Sequence, residues 1–224
     1  MKLLFVHGSG GTSLSFYYQI RRFKNSTGID LPGHPVGRLC ASIEGYVEWL
    51  RGFIAAEGYR DVVLCGHSMG GAIAQYYGLS YPDELKALVL VGTGARLRVH
   101  PQYLAECEDT ARWRKSMETS LTGVAPEVQD KVLRKSFEVG PAVARNDLLC
   151  CDRFDVMDRV HEIPLPTLVI CGTEDVMTPV KYANYLAERI PRSQKVLVEG
   201  GTHYVHLEHP GVVNRAISRF LAAL

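Results

Sequence analysis

The sequence predicts an α/β fold in which a mostly parallel sheet of about six strands is flanked by helices. Short apolar runs typical of strands alternate with helix-periodic segments in the first 94 residues, and again after Pro166. One of these runs enters a Gly-His-Ser-Met-Gly turn that leads directly into a helix-compatible segment. Strands that alternate with helices favour a parallel sheet covered on both faces.

The first part of the chain contains four predicted strands, at 3–6, 26–30, 61–65 and 87–91. A glycine-rich loop at 8–12 follows the first strand. Helices are predicted at 14–23, at 43–56 and at 71–77. The second begins after Ser42, a favourable N-cap, and carries its apolar residues on one stripe: Ile43, Val47, Leu50 and Ile54.

The character of the chain changes between residues 95 and 160, which are charged and helix-periodic and lack strand-like runs. Alternation then resumes with a strand at 167–171, a helix at 180–189, a strand at 194–198 and a helix at 209–222. Residues 1–94 and 161–224 are therefore predicted to form one core, with 95–160 as a helical insertion.

Composition narrows the functional classes. The 25 basic and 24 acidic residues give a formal net charge of +1, which provides no electrostatic basis for binding nucleic acid or an anionic membrane. No window approaches the roughly 20 apolar residues that span a bilayer, and the apolar start of the chain is too short for a signal peptide. Six cysteines without a C-x-x-C spacing indicate reduced thiols in a cytoplasmic protein.

The most informative motif is the G-x-S-x-G turn centred on Ser68. Its context of strand, sharp turn and helix is that of a nucleophile elbow. Gly66 and Gly70 flank the serine at positions where a Cβ would collide across the bend. The helix that follows directs its first N–H groups toward the site, so the N–H of Met69 is a candidate donor to an oxyanion.

A serine hydroxyl needs a general base, and the base needs an acid that orients it. Such residues lie just beyond the carboxyl ends of parallel strands. Asp175 follows the strand at 167–171, and His203 follows the strand at 194–198. We predict that Ser68, Asp175 and His203 form the catalytic group, in that chain order.

Other polar residues compete for these roles. Glu174 is an alternative to Asp175, which position favours. His206 and His209 are alternatives to His203, but His209 precedes Pro210 as a helix-start residue and His206 falls in an apolar-spaced stretch suited to packing. No His-Glu-x-x-His or similar spacing indicates a metal site. Three further residues are predicted to be structural supports: His7, Asp30 and His67.

With these motifs the chain resembles the α/β-hydrolase superfamily nearly from end to end. Four segments carry the resemblance: 7–11 after the first strand, the turn around Ser68, 172–179 around Asp175, and 200–210 around His203. The Asp-Leu-Pro-Gly-His segment at 30–34 is also typical of that family. The chain departs from the family in starting at the His-Gly strand, without the usual antiparallel strands before it.

The resemblance implies further roles. The loop after the first strand would supply a second oxyanion donor, which by position is the N–H of Ser9, with Gly10 as the alternative. Residues 95–160 would correspond to the family's cap and line the substrate pocket. The residues expected to contact substrate are Gly8, Gly10, Trp113 and Leu149.

The activity implied is that of a serine esterase which cleaves small carboxylic esters, or else lactones or thioesters, with neither a cofactor nor a metal. A small-molecule ester is the expected partner, rather than nucleic acid or a membrane. Two alternatives stay open at this point. One is a lyase or C–C bond hydrolase that uses the same three residues, and the other is a non-catalytic ligand receptor on the same fold.

Overall fold

The structure, a computed structural model, describes residues 1–224. Its centre is a six-stranded sheet in which every neighbouring pair is parallel. The strand order is β2-β1-β3-β4-β5-β6. The strands are β1 (Lys2–Val6), β2 (Ser26–Ile29), β3 (Val62–His67), β4 (Leu85–Val91), β5 (Thr167–Gly172) and β6 (Ser193–Val198). The predicted fold class is confirmed.

Helices cover both faces of the sheet. Those of the core are α1 (Tyr17–Arg22), α2 (Ile43–Ala56), α3 (Met69–Ser80), α8 (Val180–Arg189), α9 (Val205–Glu208) and α10 (Pro210–Ala222). Ser42 caps α2 by accepting a hydrogen bond from Gly45 N. The apolar stripe of α2 is buried against one face of the sheet, and α10 buries Val213, Ile217 and Phe220 against the other.

Four helices occupy the segment between β4 and β5: α4 (Pro101–Glu106), α5 (Thr110–Ser120), α6 (Pro126–Val139) and α7 (Pro141–Arg153). The two ends of this insertion lie side by side. Arg96 and Asp155 form an isolated antiparallel bridge, and Val156 N donates to Ala95 O at 2.8 Å. The inserted chain therefore leaves the core and returns to it at one place.

Several elements differ in extent from the sequence prediction: β4 begins two residues earlier, at Leu85, and α3 spans Met69–Ser80 where the sequence predicts 71–77. The predicted helix at 14–23 is a 3₁₀ turn, Ser13–Phe16, followed by α1. A short helix, α9, precedes α10. Strand β3 extends two residues further than predicted, to His67, because Gly66 and His67 pair in register with Leu90 and Val91 of β4. None of the ten helices combines the length and apolar character needed to cross a membrane.

Candidate active site

Ser68 lies on a tight turn between β3 and α3. Its backbone has φ 52° and ψ −115°, a strained conformation for a residue with a side chain, which the surrounding contacts must impose. A Cβ at Gly66 would collide with the carbonyl of Gly70. The turn is held by two hydrogen bonds: Ser68 N donates to Val91 O at 3.0 Å, and Thr93 Oγ1 donates to Ser68 O at 2.9 Å.

His203 and Asp175 meet beyond the carboxyl ends of β6 and β5. His203 Nδ1 lies 2.9 Å from Asp175 Oδ2. Both side chains are buried. The same carboxylate accepts hydrogen bonds from Met177 N at 2.9 Å, from Thr178 N at 2.8 Å and from Thr178 Oγ1 at 2.7 Å. Four donors thus fix its orientation.

The charge state of Asp175 follows from these contacts. Burial alone would raise the pKa of its carboxyl, but the charge of His203 and the hydrogen bonds from His203 and Thr178 outweigh burial and hold the pKa below its usual value. The carboxylate therefore remains ionised at neutral pH. Because it can only accept hydrogen bonds, it fixes the proton of His203 on Nδ1 and leaves Nε2 as the acceptor.

Ser68 and His203 line one cavity of about 70 Å³. The Ser68 hydroxyl forms no hydrogen bond of its own. Several apolar or partly apolar side chains also line the cavity: Leu97, Val99, Tyr103, Leu148, Met177 and Tyr204. A groove of about 820 Å³ continues outward from it and shares Tyr103, Met177 and His203 with it.

The predicted oxyanion donors are the N–H groups of Met69 and Ser9, with the N–H of Gly10 as the alternative to that of Ser9. They differ in whether a protein acceptor already binds the N–H. Met69 is the first residue of α3, so no carbonyl one turn earlier in the helix accepts its N–H. Ser9 lines the cavity, and its N–H donates to no protein acceptor. Gly10 N donates to Asp147 Oδ2 at 2.9 Å. Of the two alternatives in the loop, only Ser9 has a free N–H.

Two buried histidines brace the site. His67 Nε2 donates to the carbonyl of His203 at 3.0 Å, and burial lowers the pKa of His67 well below its usual value. His7 Nε2 accepts from Leu31 N at 3.1 Å, and burial lowers the pKa of His7 to about 4. Both rings are therefore neutral, and their contacts match the supporting roles expected of them.

The alternatives considered for the acid and the base lie elsewhere. Glu174 is exposed and lines the outer groove. His209 stands at the N-cap of α10. His206 is buried, and neither of its ring nitrogens forms a hydrogen bond. Asp30 accepts a hydrogen bond from Ser13 N at 2.6 Å and does not line the cavity.

The residues expected to contact substrate divide into two groups. Gly8 lines the cavity together with Ser9, whereas Gly10 does not line it and donates its N–H to Asp147. Trp113 does not reach it; its ring packs edge-on against Phe137 at 5.7 Å, within the insertion. Leu149 does not line the cavity either, and its neighbour Leu148 does. Adjacent residues of a helix point about 100° apart, so a one-residue difference decides which leucine faces the cavity.

Sequence reasoning missed three supporting residues: Thr93, Asp147 and Thr178. Thr178 follows Asp175 by three residues, a spacing at which an aspartate accepts hydrogen bonds from the backbone ahead of it. That spacing is a signal that the sequence contains. Thr93 and Asp147 leave no such local signal, because each contacts a segment distant in the chain.

The chain is similar to known hydrolases over most of its length. A family model described as the alpha/beta hydrolase family matches residues 3–216. Pimeloyl-[acyl-carrier protein] methyl ester esterase of Neisseria meningitidis serogroup A is 25% identical over 93% of this chain and 72% of its own length. The 3-oxoadipate enol-lactonase 2 of Acinetobacter baylyi is 27% identical over 70% of this chain and 62% of its own length.

Solved structures extend the similarity to three dimensions. The structure of a thermophilic esterase is 33% identical and superposes with a TM-score of 0.83, covering 99% of this chain and 90% of that one. The match of the family model spans nearly the whole sequence, and it includes the turn around Ser68 and the loops that carry Asp175 and His203. This chain belongs to the alpha/beta hydrolase family.

Proposed function

We propose that the protein is a serine esterase that hydrolyses small carboxylic esters through an acyl-enzyme on Ser68. The observation that carries the proposal is the common cavity of Ser68 and His203, with His203 held by the ionised, four-fold hydrogen-bonded Asp175. The strained backbone of Ser68, at the turn between β3 and α3, also supports the proposal, because the chain belongs to this family.

In the acylation step, His203 Nε2 accepts the hydroxyl proton while Ser68 Oγ attacks the ester carbonyl. Asp175 stabilises the imidazolium that forms, because its carboxylate stays charged at 2.9 Å from Nδ1. The N–H groups of Met69 and Ser9 bind the oxyanion. When the tetrahedral intermediate collapses, His203 returns its proton to the departing alkoxide, and an alcohol leaves.

Deacylation repeats these steps with water as the nucleophile. His203 removes a proton from water as the oxygen attacks the acyl carbonyl, and the same two N–H groups bind the new oxyanion. Collapse returns the proton to Ser68 and releases a carboxylic acid. The sequence of steps balances without a cofactor or a metal.

The size of the cavity favours a small substrate group. Because about 10–15 Å³ is enough for one water molecule, a cavity of about 70 Å³ holds a group of a few heavy atoms. We propose that residues 95–160 act as the cap of this site, since Leu97, Val99, Tyr103 and Leu148 line the cavity from that segment. Longer groups would extend into the outer groove.

The proposal is tested with a fluorophosphonate probe and p-nitrophenyl acetate. The probe phosphonylates an activated serine, so it should label the wild-type protein, and Ser68→Ala should lose both labelling and turnover. Ser80→Ala is the matched control, because it makes the same change at the exposed far end of α3, where the hydroxyl has no part in the proposed mechanism. If Ser68→Ala retains labelling or turnover, another residue is the nucleophile and the proposal is wrong.

A further inference from the structure

Helix α7 of the insertion is docked on the loop that carries Ser9. Gly10 N donates to Asp147 Oδ2 at 2.9 Å, and Ser9 Oγ donates to Ala144 O at 3.1 Å. The packing is close as well, because a Cβ at Gly10 would lie 2.8 Å from Ala144 Cβ. Gly10 has a φ of +61°, so this turn of the loop suits glycine.

Asp147 is a fully buried carboxylate at the centre of this contact. Besides Gly10 N, it accepts a hydrogen bond from Tyr46 Oη at 2.8 Å, and its Oδ2 lies 2.8 Å from His34 Nε2. These partners come from three separate segments: the loop after β1, the loop after β2, and α2. A buried charge is costly unless hydrogen bonds replace its water, and this one has three.

The two carboxylate oxygens have different partners. Oδ1 is held by Tyr46, on the outer helix α2, whereas Oδ2 is shared by His34 and the peptide N–H of Gly10. That N–H belongs to the peptide unit which directly follows Ser9. An acceptor at Oδ2 therefore holds the peptide between Ser9 and Gly10, which is the neighbour of the peptide that carries the Ser9 N–H.

We infer that Asp147 is a positioning residue for the oxyanion site, so that a helix of the insertion sets the alignment of a donor supplied by the core. The inference rests on the proposed function, because it assigns Asp147 a role through the Ser9 N–H. Removing one oxyanion donor costs about 10²–10³ in kcat. If the donor is displaced but still present, kcat should fall by a smaller factor, about 10-fold to 100-fold.

The decisive variants are Asp147→Ala and Asp147→Asn. The alanine variant removes the acceptor, so kcat for p-nitrophenyl acetate should fall about 10-fold to 100-fold with KM nearly unchanged. The asparagine variant keeps an acceptor for Gly10 N and turns its amide toward Tyr46, whose hydroxyl can accept as well as donate. It should therefore restore most of the lost kcat.

A second readout separates positioning from mere stability. A trifluoromethyl ketone adds to the serine and forms an oxyanion, so its affinity should fall in Asp147→Ala by the same factor as kcat. Tyr46→Phe is the matched control: it removes the hydrogen bond to Oδ1 only, and it should lower the melting temperature while kcat and inhibitor affinity stay within about twofold. Fluorophosphonate titration counts the active sites in each sample.

A further pair of variants decides the matter if Asp147→Ala does not fold. Ala144→Val adds two methyl groups where α7 meets Gly10, and Ala142→Val adds the same groups at an exposed position of the same helix. Only Ala144→Val should lower kcat and trifluoromethyl ketone affinity together. Equal kcat in both variants, or an Asp147→Ala protein with wild-type kcat, would overturn the inference. Failure of the proposed function has a different signature, since the wild type itself would then show no turnover that depends on Ser68.

Discussion

Replacing His206 with phenylalanine should make the protein less sensitive to acid. His206 lies in α9, fully buried, with its ring 4.7 Å from that of Phe16 and 4.4 Å from that of His67. Neither ring nitrogen forms a hydrogen bond. Burial, together with the charge of His203, lowers the pKa of His206 from 6.5 to about 3. A phenyl ring has a similar shape and cannot take up a proton.

The sign of the effect follows from which state binds the proton. Below pH 6.5 the unfolded chain protonates this histidine, whereas the folded protein keeps it neutral until about pH 3. The folding free energy is therefore unaffected at high pH and becomes less favourable as the pH falls through 6.5. Since pH 5 lies about 1.5 units below the unfolded pKa, at about 1.4 kcal/mol each, the cost of His206 there is about 2 kcal/mol.

The assay is urea unfolding at pH 7 and at pH 5. The wild type should lose stability between the two, and His206→Phe should lose about 2 kcal/mol less. Some loss should persist in the variant, because the pKa of His7 is also lowered by burial, to about 4. His161→Phe, at an exposed histidine, is the control and should behave as the wild type. If His206→Phe loses as much stability as the wild type, His206 does not resist protonation in the folded state and the reasoning fails.

Three predictions concern the site itself. Asp175→Asn should lower kcat by about 10⁴, the loss seen for the equivalent change in another triad, while Glu174→Gln should retain the wild-type rate; the reverse order in a steady-state assay would exchange their roles. Thr178→Val removes one hydrogen bond from the carboxylate and should lower kcat about tenfold; an unchanged kcat would show that the backbone donors suffice. Leu148→Ala should raise the butyrate-to-acetate ratio of kcat/KM about tenfold or more, and Leu149→Ala should leave it unchanged; equal effects in an ester panel would contradict the proposed cavity wall.

The core could be predicted from the sequence because its signals are local. An apolar run followed by Gly-His-Ser-Met-Gly specifies a strand, a turn and a helix, whatever lies around it. Parallel strands then bring the residues after them to one edge, which places Asp175 beside His203. The end of β3 is not encoded locally, because Gly66 and His67 have little intrinsic β preference and their pairing with β4 decides their conformation.

The insertion was harder to predict because its contacts depend on how its helices dock. Both Leu148 and Leu149 are apolar, and the sequence does not say which of them the rotation of α7 turns toward Ser68. Trp113 looked suited to a pocket, but a large aromatic side chain serves equally well to pack helices together, and here it does so with Phe137. In the sequence Asp147 is one of several charged residues in a helical segment, and only the docking of α7 shows that it is buried.

The position of the two ends of the insertion shows where residues 97–154 could be replaced by another segment. Since Arg96 and Asp155 face each other across an antiparallel bridge, a foreign segment joined at these two residues would leave every strand of the sheet uncut. Such a graft would still need a hydrogen-bond acceptor where Asp147 stands, because Gly10 N, Tyr46 and His34 would otherwise lose their common partner. A replacement segment would also have to supply the apolar side chains that 97–154 contributes to the main core, which are Leu97, Cys150, Cys151 and Phe154. The bridge therefore sets where a segment can be exchanged, and the buried contacts set which segments fit.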